Sequence, residues 1–159
     1  MANTKRQRVF DASFLGLERQ DTVRVTVVEQ YSVISIGDSQ SWNGADLHLI
    51  RDVMRHLVKR DHCTRIGIDM QHVFEIESGF FGTLCEFVEN GVAIRVYQPV
   101  ECVREFFWFR EYMREQTPGV YQFVIPAETR LALDEPADQR QERARHFGAI
   151  GKATRKARK

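Results

Sequence analysis

Apolar and polar residues alternate over residues 22–29, with Val23, Val25 and Val27 on one side and Arg24 and Thr26 on the other. A period of two predicts a half-buried strand. Gln30-Tyr31 reads as a tight turn, and Val33, Ile34 and Ile36 as a second strand ending at Gly37-Asp38. Two strands so close in sequence predict an antiparallel hairpin. The period then changes. After Asn43-Gly44-Ala45-Asp46, the residues Leu47, Ile50, Val53, Met54, Leu57 and Val58 recur at helical spacing. They predict a helix that stops between Lys59 and His62. Ile66 and Ile68 mark a third strand ending at Asp69. Residues 78–90 predict a second helix with Phe81, Leu84, Cys85 and Val88 inward, stopped by Asn90-Gly91. Val92, Ile94 and Val96 form a fourth strand, and Pro99 suits the first turn of a third helix running to about residue 114. Pro118-Gly119 breaks the chain before a short added strand over residues 120–125.

The order β-β-α-β-α-β-α requires parallel pairing wherever a helix crosses between strands. The fold class is therefore α/β: a small mixed sheet of four to five strands with covering helices. The 159 residues suit one domain with extensions. An N-terminal extension occupies residues 1–20, the domain residues 21–125, and a basic tail, disordered or helical, residues 126–159.

Composition is ordinary for a soluble protein, 43% hydrophobic and 28% charged. The net charge of +1 conceals an asymmetry. Residues 140–159 carry eight Lys or Arg and one acid, whereas the rest carries 15 basic and 21 acidic side chains. Cys63, Cys85 and Cys102 are odd in number and scattered, which fits neither a disulfide framework nor a zinc site. The N-terminus is basic without the apolar run of a signal peptide, and no stretch approaches the ~20 residues of a membrane span. A cytoplasmic protein is expected.

The most informative stretch is Arg65-Ile66-Gly67-Ile68-Asp69 followed by Ile76-Glu77-Ser78-Gly79-Phe80-Phe81-Gly82. It reads as a buried strand, a short loop and a helix start. Ser78 can cap that helix by accepting a bond from a free backbone N–H. Gly82, lacking a Cβ, can let the helix lie close to a strand. Helix starts carry partial positive charge, so Glu77 is well placed and a phosphate is tolerated there.

This segment, with the later Gly91-Val92-Ala93-Ile94-Arg95-Val96-Tyr97 run, resembles the STAS domain of anti-sigma factor antagonists (SpoIIAA-like) over residues 22–125. Its signature is an apolar strand, Asp, a short loop, then D-S-S-G-L-G at a helix start. Aligned on Phe81 and Gly82, Glu77 falls at the family's Asp, Ser78 at its first Ser and Gly79 at the second Ser, the usual phosphorylation site. Glycine cannot be phosphorylated. Either Ser78 or Thr83 has taken the role, or the protein is unswitched; a shift of one residue makes Ser78 the acceptor but displaces Phe81 and Gly82. The resemblance implies a signal-transduction module acting in transcription regulation by protein binding, not an enzyme. Its partner would be an anti-sigma factor or a related serine-kinase-type regulator, engaged through Asp69, Glu77, Ser78, Gly79 and Phe80, the last an apolar contact or equally a core residue. In the family, phosphorylation puts charge and bulk into this surface and binding is lost.

Other features are read against simpler explanations. Phe106-Phe107-Trp108-Phe109, with Tyr112 and Met113, spans more than one helix face. It is either a partner surface, or it is covered by the segment 9–15 or by a second copy in a homodimer. His48 and His56 are eight apart, whereas helical zinc ligands prefer i, i+4, so the five histidines read as surface residues and no metal is expected. Asp69, His72 and Ser78 lie in one loop, but proximity in sequence does not make a triad. Neither GxxxxGK[ST] nor GxGxxG occurs, and no cofactor is expected. The basic tail could bind nucleic acid or another polyanion, mostly electrostatically, or could be a solvated extension. A nucleic-acid-binding protein acting through that tail is the alternative function.

Overall fold

The computed structural model describes residues 6–7, 10–16 and 22–127. The described residues up to 124 belong to one compact unit, and residues 125–127 lie outside it. The basic tail from residue 128 onward lies outside the described residues, as do residues 1–5, 8–9 and 17–21.

In chain order the first unit contains β1 (Arg6–Gln7), β2 (Val23–Val28), β3 (Tyr31–Ile36), β4 (Ser41–Trp42), α1 (Gly44–Lys59), β5 (Arg65–Asp69) and β6 (Glu75–Ile76). There follow α2 (Gly79–Glu89), β7 (Ala93–Tyr97), α3 (Glu101–Arg104), α4 (Phe107–Tyr112), β8 (Met113–Thr117) and β9 (Val120–Phe123). Among the described residues the main sheet is mixed and has seven strands in the order β1-β2-β3-β5-β7-β9-β8. This exceeds the four to five expected, because β1 and β8 extend the two edges; β9 is the short added strand expected after Pro118-Gly119. The β3–β5 and β5–β7 pairs are parallel, with α1 and α2 as crossovers, and the remaining pairs are antiparallel.

The β2–β3 hairpin forms as the alternation predicts, but its turn lies one residue earlier. Glu29 and Gln30 adopt φ of 47° and 70°, and Tyr31 is the first strand residue. Two successive positive φ values give the turn whose twist matches the flanking strands. Gln30 accepts a hydrogen bond from Arg65, which ties this turn to the start of β5.

The strands bury both faces. Val25, Ile34, Ile66, Ile68, Ile94 and Val96 face Ile50, Val53, Met54 and Leu57 of α1 and Leu84 of α2, all buried. On the opposite face Val28, Tyr31 and Val33 pack with Ala93 and Tyr97. Arg95 lies over the Tyr31 ring at 4.3 Å and pairs with Glu29 at 3.2 Å. Gln122 accepts from the Tyr31 hydroxyl at 3.0 Å and from Arg95 Nε at 3.1 Å. Burial, outweighing Arg95 alongside, pushes the Tyr97 phenol up. Gly67 sits in this layer because any Cβ there would lie 2.6 Å from the Tyr97 ring and 2.8 Å from Val33.

Three helix expectations change. The buried residues of α2 are Phe80, Leu84 and Phe87, with Phe81, Cys85 and Val88 only half-buried. Phe81 instead turns toward Trp108, Tyr112 and Phe123, with centroid separations of 5.6, 4.9 and 5.9 Å. Gly82 does not mediate a close approach: a Cβ there would meet nothing within 4 Å. The single third helix is two short ones, α3 and α4, broken at Glu105-Phe106, and Arg114 belongs to β8.

The two long helices start differently. Asn43 caps α1 by accepting from the N–H groups of Ala45 at 2.9 Å and Asp46 at 3.3 Å, and Asp46 accepts in return from the Asn43 N–H at 3.2 Å. Ser78 occupies the same position before α2 but has helical φ and ψ of −57° and −25°, and its side chain makes no capping bond. The capping expected of Ser78 is therefore not formed. Asn43→Ala should cost about 1 kcal/mol of stability, whereas Ser78→Ala should change it by less than about 0.5 kcal/mol. Urea denaturation of the two variants checks this ordering.

Candidate functional site

The loops after β3 and β5 emerge together, since these strands are parallel neighbours. In open α/β sheets, ligands bind outside the carboxyl ends of the strands. Here the two loops are tied by a second, two-stranded parallel sheet, in which Ser41 and Trp42 of β4 pair with Glu75 and Ile76 of β6. The Gln40 carbonyl accepts from the N–H groups of Phe74 at 2.7 Å and Glu75 at 3.2 Å, and the Trp42 carbonyl from that of Glu77 at 3.3 Å. Met70 and Val73 are buried beneath the loop, and Met70 N–H donates to the Tyr97 carbonyl at 2.9 Å. Trp42, 1% exposed, packs edge-on against Phe80 at 5.6 Å.

This anchoring presents Gln71, His72, Phe74, Glu75, Glu77, Ser78 and Gly79 to solvent. Glu77, Ser78 and Gly79, expected at a partner surface, are exposed side by side. Asp69 is half-buried, and its carboxylate accepts from the Gln71 N–H at 3.1 Å, so it shapes the turn. Of the two readings of Phe80, the core one holds and the partner contact is corrected: at 1% exposure it offers a partner no contact. It reaches Trp108 as well as Trp42, at 5.9 Å. The Thr83 hydroxyl donates to the Gly79 carbonyl at 3.2 Å, inside the helix.

The starts of α1 and α2 enclose a cleft of about 240 Å³ lined by Gly44, Leu47, His48, Arg51, Glu77, Gly79 and Thr83. Arg51 pairs with Glu86, joined by Arg55 at 3.5 Å, which fastens α1 to α2. The loop does not assemble a triad, because His72 faces Asp38 at 3.8 Å while Asp69 is engaged by the turn. Among the described residues, no group of three or more His, Cys, Asp or Glu side chains could hold a metal ion. No helix among them is long and apolar enough to cross a membrane. Cys85 is half-buried, and burial with Glu89 nearby pushes its thiol up, which disfavours the reactive thiolate.

The aromatic run 106–109 is largely absorbed. Phe109 is buried and meets Tyr121 at 5.0 Å, while Trp108 packs on Phe81 and Phe106. The expected N-terminal cover goes elsewhere. Phe14 stacks on His56 of α1 at 4.2 Å, and Phe10 meets the same ring edge-on at 5.6 Å. Phe107, 79% exposed, stays uncovered.

Sequence reading missed Phe74, whose exposure follows from the β4–β6 pairing. Two-residue strands leave no periodic signal, and an aromatic flanked by Val73 and Ile76 reads as core. Comparison of the chain with protein-family models, curated proteins and solved structures found no match.

Proposed function

We propose that this chain is a STAS-like regulatory module, an antagonist of an anti-sigma factor of the serine-kinase type, that docks through the loop between β5 and α2. The observation that carries the reading is the exposed Glu77-Ser78-Gly79 step at an uncapped helix start, held out at the carboxyl ends of parallel strands. Uncapped N–H groups and the helix dipole favour negative charge at that point. A phosphate on Ser78 would therefore be tolerated by the fold while changing the surface that a partner meets. Asp69 and the buried Phe80 support the loop from below.

The test is capture of partners from the native host on the full chain and on two variants, Ser78→Glu and Glu77→Lys. Recovery of a serine-kinase-type regulator on the wild type, falling about tenfold or more on either variant, is expected for a surface residue central to docking. Equal recovery on all three proteins would reject the loop as the docking element. Mass spectrometry of the native protein should also find Ser78 modified where the partner kinase is present.

A further inference from the structure

We infer that the docking surface extends from the loop onto α3 and α4, and that it takes a cationic protein segment carrying large apolar side chains. This rests on the reading of the loop as a partner site and specifies the partner's chemistry. Two large phenyl groups stand in solvent near it, Phe74 at 50% and Phe107 at 79% exposure. They are carried by segments in contact. The Cys102 thiol of α3, five residues before Phe107, donates to the Phe74 carbonyl at 3.4 Å. Large exposed aromatics on contacting segments mark interaction sites more often than singly scattered ones do.

Charge decides between occupants. The two segments bearing these rings, residues 69–79 and 97–107, contain Asp69, Glu75, Glu77, Glu101 and Glu105 against one base, Arg104. Glu75, Glu77, Glu101 and Glu105 are all exposed. Arg104, beside Tyr121, has its pKa raised and stays charged, which leaves the two segments with a negative balance. A partner arriving here meets apolar anchors rimmed by carboxylates. An anionic segment, or a nucleic acid, would be repelled by that rim, whereas a basic amphipathic segment satisfies both features.

The experiment compares a dye-labelled amphipathic Leu–Lys helical peptide with a Leu–Glu peptide of equal length, by fluorescence anisotropy against the full chain. The Leu–Lys peptide should bind about tenfold or more tightly than the Leu–Glu peptide. The double variant Phe74→Ser, Phe107→Ser should weaken it about tenfold. Circular dichroism and Tm of that variant should stay unchanged, because both rings are exposed. Equal binding of the two peptides, no binding of either, or unchanged binding by the double variant would overturn the inference. A native partner lost on Ser78→Glu yet retained by the double variant overturns this extension alone. A partner retained on Ser78→Glu and Glu77→Lys removes the loop reading itself.

Discussion

Phe80→Ala is expected to destabilise the protein by about 3–5 kcal/mol, the cost of emptying a large aromatic site in a packed interior. The ring lies between Trp42, which supports the loop after β3, and Trp108 of α4, at 5.6 and 5.9 Å. The neighbours are held by strand and helix, so collapse would recover little. Urea denaturation reads the loss as a lower midpoint with an unchanged slope. A change below about 1 kcal/mol would mean that Phe80 is not core. The contrast with Phe74, the same side chain six residues earlier, separates the two roles. Phe74→Ser should leave stability nearly untouched and reduce partner binding, whereas Phe80→Ala should do the reverse per folded molecule.

Gly67→Ala carries the second large effect, a loss of about 1–3 kcal/mol from overpacking. Its new methyl would need space already held by the Tyr97 ring and the Val33 side chain, at 2.6 and 2.8 Å. Alanine is otherwise the better strand residue than glycine, so intrinsic preference opposes the strain and keeps the cost from growing further. A double-mutant cycle with Tyr97→Ala isolates the cause. In that background Gly67→Ala should cost at least about 1 kcal/mol less, since residues in contact couple by such amounts. An equal cost in both backgrounds would exclude the Tyr97 ring as the obstacle.

Much of the fold is legible along the chain because its main elements obey simple periods. The alternation of Val23 and Val25, the helical recurrence from Leu47 to Leu57, and the short apolar runs at Ile66 and Ile94 locate four central strands and two crossover helices. The edges are not legible. β8 reads Met113-Arg114-Glu115-Gln116-Thr117, is mostly exposed, and looks like the end of a helix until its pairing with β9 is seen. At the site, the exposed Glu77-Ser78-Gly79 step follows from the strand-loop-helix pattern. The burial of Phe80 does not, because one residue of helical phase decides whether Phe80 or Phe81 points inward. Glycine at position 82 suggested a close approach that actually occurs at Gly67, since sequence shows that a Cβ is missing but not what would have met it.

The ladder between Ser41-Trp42 and Glu75-Ile76 makes the exposed loop surface a composite of two stretches far apart in the chain. Lengthening either loop would slide one short strand past the other and carry Phe74 and Glu77 out of position. Grafting this loop onto another scaffold therefore requires transplanting both segments together, with Trp42 as the keystone beneath them.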